Sequence, residues 1–304
     1  MNEMIKNEQD KVMAAVTKMR TEWGANDAKR DAGLPTSYPD VTRFDNLSYG
    51  PNGTENLLDI YVPKQGKTVY PTVVNVHGGG FVYGDKELYQ HYCLWWARQG
   101  FAVVNFNYRL APKTVFPGAI QDVSTAVKWT ADHAAEYSID LDNVFFTGDS
   151  AGATLAQQYL TAQTNDAYRR ALGMTKTSLT IRAAALNCGV YFLDRPETLA
   201  DDTLIAMAYF VPSVQRLYAD QLKTENYMSA ELPPLFIMTA NNDFLHDEGV
   251  RMDQFLIDRN HPHEFHVYGD ADHPRGHVFH IDQRDELGIE CNNAEKAFFA
   301  AHIK

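Results

Sequence analysis

The stretch that decides the fold is Phe145-Phe146-Thr147-Gly148-Asp149-Ser150-Ala151-Gly152. An apolar run at 143–146 enters a Gly-x-Ser-x-Gly turn, and a helix-forming segment follows at 151–163. This order of strand, sharp turn and helix predicts a strained elbow, where glycine two residues before and after the serine avoids clashes. The serine then lies at a helix N-terminus, where backbone N–H groups favour negative charge. The pattern predicts that Ser150 is a nucleophile, and the alternative is a polar loop before a helix.

Strands and helices alternate along the chain around this elbow. Near-continuous apolar runs predict buried strands at 72–76, 102–106, 143–147, 183–186, 235–239 and 264–268. Helices are expected at 88–99, 119–137, 151–163, 250–259 and 289–302. The alternation predicts an α/β fold with a mostly parallel central sheet flanked by helices. In such a sheet, functional groups collect at the carboxyl ends of the strands.

The N-terminal part of the chain has a different pattern. Apolar residues at helical spacing predict an amphipathic helix at 3–22, followed by a loop at 31–39. Two short strands are expected at 42–49 and 57–61, separated by the turn signal Gly50-Pro51-Asn52-Gly53. We expect these two strands to form an antiparallel hairpin at an edge of the sheet.

Composition narrows the class of partner. The 304 residues include 27 Lys and Arg against 39 Asp and Glu, for a net charge of −12. Such a surface repels nucleic acid and anionic membranes, so neither is expected as a partner. No apolar run reaches the ~20 residues that span a bilayer.

Cysteine usage and the N-terminal residues bear on the compartment. The first residues lack the basic start and apolar core of a secretory signal. Cys93, Cys188 and Cys291 are odd in number and far apart in sequence. We therefore expect a reduced, cytoplasmic chain.

A run of glycines follows the predicted strand at 72–76, in His77-Gly78-Gly79-Gly80-Phe81. Consecutive glycines can adopt positive φ angles and present several backbone N–H groups to one point, as an oxyanion hole requires. A phosphate-binding loop would continue with Lys-Ser or Lys-Thr, which is missing here. We predict that the N–H groups of Gly79, Gly80 and Ala151 hold an oxyanion, and that His77 is a hydrogen-bonding residue that fixes the loop.

The acid is expected on the loop that leaves the strand at 235–239. Asp243 stands there, in the chain order serine, acid, histidine. Asp247 and Glu248 are alternatives, but they resemble the capped start of the next helix. Asp243 is therefore the predicted acid.

The base must come from a segment rich in histidine near the C-terminus. His277 is preferred because it lies in the loop after the last strand and is followed by two apolar residues that would bury it. His273, beside acidic residues, fits a solvated turn; His280 is a further alternative, and His266 lies within the strand. A metal site is another interpretation of this segment, but the histidine spacing does not match a zinc motif. No metal or other cofactor is expected.

Four motifs together, in order, resemble the hormone-sensitive-lipase-like family of α/β-hydrolases. They are the glycine run 77–81, the segment 107–117 (Asn-Tyr-Arg-Leu-Ala-Pro with a later Phe-Pro), the elbow at 148–152 and the loop of Asp243. The similarity covers about 57–280. It implies an α/β-hydrolase fold and serine esterase activity on small carboxylic esters, usually with short acyl chains.

The resemblance also implies a small helical cap on a single domain spanning 1–304, built from about 1–40 and 191–227. Apolar residues of the second segment are then expected to line an acyl pocket: Met207, Tyr209, Phe210 and Val211. The chain departs from the family in Ala153, where glycine is usual, and in His277-Val278-Phe279, where His-Gly-Phe is usual. The short second segment favours an open site for small substrates.

Other functions are compatible with the same residues. One is a different serine hydrolase, such as an amidase, an arylformamidase or a deacetylase of sugar esters. Another is a binding protein that has lost catalysis, although Ser150, Asp243 and a suitable histidine are all present. The sequence leaves the natural ester and the oligomeric state open, a homo-oligomer included.

Overall fold

The computed structural model describes residues 2–193 and 204–304. These residues form an eight-stranded sheet with the order β1-β2-β4-β3-β5-β6-β7-β8. The strands are β1 Val41–Ser48, β2 Leu57–Pro63, β3 Tyr70–Val76, β4 Ala102–Phe106, β5 Ile139–Asp149, β6 Ile181–Asn187, β7 Leu235–Ala240 and β8 His263–Tyr268. Pairing is parallel from β3 and β4 through β8, while β2 runs antiparallel to both β1 and β4. The predicted sheet and its edge hairpin are confirmed.

The helices cover both faces of the sheet. They are α1 Asn2–Asp31, α2 Gln90–Arg98, α3 Gly118–Asp132, α4 Ala151–Thr164, α5 Asp166–Ala171, α6 Leu204–Tyr209, α7 Pro212–Leu217, α8 His246–Asp258 and α9 Glu286–Ala301. Among the described helices, none is both long enough and apolar enough to span a membrane.

The alternation of β5 divides the core into two layers. Phe145 faces α2 and α9, where its ring stacks on Phe299 at 4.8 Å. Phe146 faces the opposite layer and stacks on Tyr159 of α4 at 5.1 Å. Because successive strand residues point to opposite faces, adjacent phenylalanines serve both layers. They hold the strand that carries the elbow from both sides.

Three helix boundaries differ from the sequence prediction by four residues or more. Helix α3 ends at Asp132 instead of near residue 137. Helix α1 continues through Gly24 to Asp31 instead of ending near residue 22, and Gly33, whose φ is +78°, follows its end. Helix α8 begins at His246, not at residue 250, with Asp247 and Glu248 in its first turn. Acidic residues in the first turn stabilise a helix because their negative charge complements the positive end of the helix dipole.

The expected cap region is described only in part, because residues 194–203 of the segment 191–227 lie outside the described residues. In the described part, α6 packs against α1. Tyr209 and Phe210 are buried, and the Tyr209 ring stacks on Phe81 at 4.6 Å. The sequence did not predict α5, α6 or α7. Such short helices form through tertiary packing more than through their own propensity.

Candidate active site

Ser150 lies on the turn between β5 and α4, with φ 51° and ψ −120°. A non-glycine residue rarely adopts a positive φ, and it does so where the surrounding structure enforces it. The flanking glycines show the constraint: a Cβ on Gly152 would lie 2.0 Å from the carbonyl oxygen of Val76, and one on Gly148 would lie 2.7 Å from that of Gly152. The Ser150 N–H donates to the carbonyl oxygen of Asn187 at 2.9 Å. The elbow is thus fixed by close packing against β3 and by a hydrogen bond to β6.

Asp243 and His277 form a hydrogen-bonded pair on the loops after β7 and β8. His277 Nδ1 donates to Asp243 Oδ1 at 2.9 Å, and the Leu245 N–H donates to the same oxygen at 2.8 Å. Burial disfavours the charged form of Asp243, but the hydrogen bond and charge of His277 outweigh it and lower the pKa of Asp243 below its usual value. Asp243 therefore remains a carboxylate at neutral pH and fixes the orientation of the His277 ring.

Ser150 and His277 face one cavity of about 260 Å³, which Gly78 and Gly79 also line. No hydrogen bond joins the Ser150 hydroxyl to His277 within the part of the chain that the structure describes. Serine–histidine hydrogen bonds in ligand-free sites are often long and tighten when substrate binds. Ser150 and His277 therefore face the same cavity, but the hydrogen bond between the hydroxyl and the imidazole is not formed in this structure.

The glycine run supplies backbone donors beside the cavity. Gly79 has φ +115° and Gly80 has φ +58°. Neither amide donates a hydrogen bond to any described residue. A Cβ on Gly79 would lie 2.1 Å from the carbonyl oxygen of Tyr83, so the loop admits only glycine there. Ala151, the third predicted donor, is the first residue of α4 and is buried.

A second wall of the cavity comes from α1. Trp23, Asp27 and Arg30 line it there, with Asn26 beside them. Arg30 pairs with both Asp27 and Asp31, and the Tyr83 hydroxyl donates to Asp27 at 2.7 Å. The sequence did not indicate these lining residues, because the predicted helix ended before Trp23. Met207, Tyr209, Phe210 and Val211, expected to line an acyl pocket, are not among the described residues that line this cavity. Tyr209 and Phe210 are buried in the core, and Met207 and Val211 are half-buried against it.

The other histidines occupy different environments. The side chain of His273 is 73% exposed and lies 3.4 Å from Asp270. His280 is buried, which lowers its pKa to about 3, and its Nε2 accepts from Asn187 Nδ2 at 3.3 Å. His266 stacks on Phe236 at 4.5 Å. His77 stacks on Tyr108 at 4.1 Å, and its Nδ1 lies 2.7 Å from the carbonyl oxygen of Gly78.

The alternative acids lie in helix α8. Asp247 is exposed. Glu248 is buried, and its Oε2 accepts from the Tyr191 N–H at 3.1 Å. Neither makes a hydrogen bond to His277 among the described residues, so both serve the helix or its neighbouring loop.

One group of potential metal ligands lies together in the described part of the chain. Donor atoms of Cys188, Asp243 and His277 are within 4.8 Å of one another. The imidazole Nδ1 is already engaged with Asp243 at hydrogen-bond distance. A metal bound there would replace this hydrogen bond, so the present geometry is that of a carboxylate–imidazole pair.

Asp149 and Tyr89 are mostly buried, and both line the cavity next to Ser150. The Tyr89 hydroxyl donates to Asp149 Oδ2 at 2.7 Å, and burial raises the pKa of Asp149 to about 6. No sequence pattern indicated Tyr89, which belongs to no motif and is separated from Asp149 by 60 residues.

Comparison with known proteins agrees with this architecture. A family profile described as alpha/beta hydrolase fold matches residues 73–279. The chain belongs to this family, which confirms the resemblance seen in its motifs.

Individual relatives are esterases. Esterase LipI of Mycobacterium tuberculosis is 31% identical over 238 residues, covering 71% of this chain and 68% of LipI. Acetyl esterase of Salmonella schwarzengrund is 26% identical over 291 residues, covering 90% of this chain and 80% of the relative. The structure of esterase B from Lactobacillus rhamnosis, inhibited by a C4-C4 sn3 tributyrin phosphonate, superposes with a TM-score of 0.87 at 25% identity, covering 96% of this chain and 95% of that one. Together with the fold, these relatives support carboxylic ester hydrolysis as the activity of the chain.

Proposed function

We propose that the chain is a serine carboxylesterase that hydrolyses short-chain esters through an acyl-enzyme on Ser150. The observation that carries this proposal is the strained Ser150 elbow at the same cavity as His277, whose Nδ1 is bonded to Asp243. Serine, base and orienting acid are the parts required for nucleophilic catalysis.

In the first half-reaction, the Ser150 hydroxyl attacks the ester carbonyl carbon while its proton passes to His277 Nε2. Asp243 keeps Nδ1 protonated and stabilises the imidazolium that forms. The carbonyl oxygen becomes an oxyanion, which accepts hydrogen bonds from the N–H groups of Gly79, Gly80 and Ala151. The intermediate collapses when the C–O bond to the alcohol breaks and His277 returns the proton to that alcohol.

In the second half-reaction, water replaces the alcohol. His277 takes a proton from the water as its oxygen attacks the acyl carbon. The same backbone N–H groups hold the second oxyanion. Release of the acid restores the Ser150 hydroxyl with the proton from His277. The reaction needs no metal or other cofactor.

Preference for short acyl groups is supported by the size of the cavity. Its volume of about 260 Å³ is below the ~300–1,000 Å³ typical of sites for drug-sized ligands. Esterase B, the structural relative, was inhibited by a phosphonate with C4 chains. We therefore expect acetyl to butyryl esters to be better substrates than octanoyl or longer esters.

The decisive experiment compares wild type with Ser150→Ala. We expect Ser150→Ala to retain its fold but to lose both turnover of p-nitrophenyl butyrate and labelling by a fluorophosphonate. Ser124→Ala is a matched control, since Ser124 is a buried serine of α3. Fluorophosphonate labelling that persists in Ser150→Ala would show that another residue is the nucleophile.

A deacetylase of sugar esters is the second candidate, because the α1 wall of the cavity contains polar and aromatic side chains. Trp23 and Asp27 are types of side chain that contact hydroxylated ligands. Comparing p-nitrophenyl acetate with acetylated sugars and acyl amides separates the two functions. A higher kcat/KM for an acetylated sugar than for the aryl ester would favour the second candidate.

The cap of residues 1–40 and 191–227 is also part of the proposal. Arg20 of α1 donates through Nε to the Val82 carbonyl at 2.7 Å and through Nη2 to that of Ala111 at 3.0 Å. Removing residues before Gly33 should therefore change the acyl-length profile or the melting temperature. If neither changes, α1 has no part in the cap.

We assign the protein to the cytoplasm. Cys93, Cys188 and Cys291 are all buried and free, which is usual for chains in reducing compartments. Fractionation of cells that express the full protein tests this assignment, and recovery outside the cytoplasm would contradict it.

A further inference from the structure

We propose that Tyr89 is a positioning residue that holds the oxyanion loop, Gly78–Gly80, against the nucleophile elbow. This inference rests on the proposed function. The Tyr89 oxygen accepts a hydrogen bond from the Gly78 N–H at 2.9 Å and donates one to Asp149 Oδ2 at 2.7 Å. A single hydroxyl group therefore links the two segments that the reaction must keep in register.

The two partners of the Tyr89 hydroxyl, Gly78 and Asp149, are each next in sequence to a residue that the proposed reaction uses. Gly78 directly precedes Gly79, and Asp149 directly precedes Ser150. A shift of either partner displaces an oxyanion donor relative to the attacking oxygen. A misplacement of about 1 Å can lower a rate by ~100-fold. The Tyr89 hydroxyl, whose two hydrogen bonds both go to protein groups, thus acts on the distance between the donor loop and the nucleophile.

The surroundings leave no room for a water molecule to replace the Tyr89 hydroxyl between Gly78 and Asp149. Tyr89, Asp149 and Gly78 are all buried. A Cβ on Gly78 would lie 2.6 Å from Asp149 Oδ2 and 3.0 Å from the Tyr89 oxygen, so the contact is too close to admit an intervening water. Loss of the hydroxyl would leave a buried N–H and a buried carboxylate unpaired, and both would seek new partners by moving.

Tyr89→Phe removes the hydroxyl and keeps the ring. We expect kcat for p-nitrophenyl butyrate to fall by about 10–100-fold with KM changed less than about threefold, because the loop acts on the transition state. Tyr168→Phe is the matched control: its ring is buried in α5 and its hydroxyl bonds to Thr224 at 3.0 Å. That variant should lose a similar hydrogen bond and keep wild-type kcat.

A transition-state analogue separates positioning from a general structural role. A trifluoromethyl ketone forms a hemiketal oxyanion on the serine, whereas the product alcohol binds without one. In Tyr89→Phe, Ki for the ketone should rise by the same factor as kcat/KM falls, while Ki for the alcohol should stay constant. Equal changes in both Ki values, or no change in kcat, would overturn the inference.

A double-mutant cycle tests the other end of the link, and the Asp149 single variants keep the test valid if Tyr89→Phe is unstable. Asp149→Ala removes the other end of the link, so the double variant should be no slower than the slower single variant. Losses that multiply would contradict a shared link. Asp149→Asn retains an oxygen acceptor and should lose less activity than Asp149→Ala.

These outcomes are distinct from a failure of the proposed function. If Ser150 is not the nucleophile, Ser150→Ala remains labelled by a fluorophosphonate whatever Tyr89 does. If only the inference about Tyr89 is wrong, labelling still requires Ser150, and Tyr89→Phe is labelled at the wild-type rate.

Discussion

His277 Nδ1 lies 2.9 Å from Asp243 Oδ1, whereas His273, on the same loop, faces Asp270 in an exposed turn. The pair formed by His277 can orient an imidazole and stabilise its charge inside the cavity. The ion pair of His273 is screened by solvent, as is usual for exposed pairs. Exposure and hydrogen-bond partner thus distinguish the two histidines in the same direction as their neighbours in the sequence.

Substitution of each histidine by alanine tests this distinction. We expect His277→Ala to lower kcat by about 1,000-fold or more, since the general base and acid are lost together. His273→Ala should stay within about twofold of wild type. Steady-state kinetics on p-nitrophenyl butyrate measures both, and a dead His273→Ala with an active His277→Ala would reverse the assignment of the base.

Asp243→Asn addresses the tautomer of His277. An amide NH₂ in place of the carboxylate donates to Nδ1 and leaves the proton on Nε2, where it cannot accept the Ser150 proton. A loss on the order of 10⁴-fold in kcat accompanies the equivalent change in a serine protease, and we expect a similar loss here. Asp247→Asn, at an exposed residue of α8, should keep wild-type kcat. Activity of Asp243→Asn above a tenth of wild type would contradict Asp243 as the orienting acid.

Gly79→Ala tests the loop that supplies the oxyanion donors. The added Cβ would lie 2.1 Å from the Tyr83 carbonyl oxygen at a φ of +115°, so the loop must move. We expect kcat to fall by about 100–1,000-fold, comparable to loss of one oxyanion donor. Gly33→Ala is the matched control, with φ +78° and nothing within 4 Å of the added atom. It should lose some stability from backbone strain and keep its kcat; equal kinetic losses in both variants would argue against a catalytic role for the loop.

Local sequence predicts the sheet and the elbow well because each rests on near-neighbour chemistry. The buried strands are apolar runs, all five residues of β4 being buried. The elbow needs glycine at two fixed offsets from Ser150, and the close contacts of Gly148 and Gly152 show why. The chain order of Ser150, Asp243 and His277 then follows from the order of the strands.

The remaining parts of the site depend on contacts that are distant in sequence. Tyr89 meets Asp149 across 60 residues, and Arg20 meets Ala111 across 91. No local pattern marks Trp23 or Asp27 as cavity residues, because only the packing of α1 over the sheet brings them there. Tyr209 is a large aromatic residue of the kind expected in an acyl pocket, yet its ring packs in the core against Phe81.

Titration of Glu295, in α9, makes the free energy of unfolding depend on pH. Its carboxylate accepts from the Tyr92 hydroxyl at 2.8 Å and from Asn187 Nδ2. Burial raises its pKa to about 7, and these two hydrogen bonds oppose that rise only in part. The folded protein therefore holds a proton that the unfolded chain, with an ordinary glutamate pKa of 4.5, releases. The stability associated with the protonated form is complete below about pH 4.5 and is lost as pH rises through about 7.

Glu295→Gln should remove this dependence. The amide has nearly the shape of the protonated acid, so the fall in the free energy of unfolding between pH 5 and pH 7.5 should shrink by about 1–3 kcal/mol. Asp149, whose pKa is also raised, to about 6, lowers the free energy of unfolding with rising pH in both proteins. Its contribution therefore cancels when the wild-type curve is subtracted from that of Glu295→Gln. Glu290→Gln, at an exposed residue of the same helix, should follow the wild-type curve. Urea unfolding at a series of pH values measures the slopes, and parallel curves for wild type and Glu295→Gln would show that Glu295 is ionised to the same extent in the folded and unfolded chains.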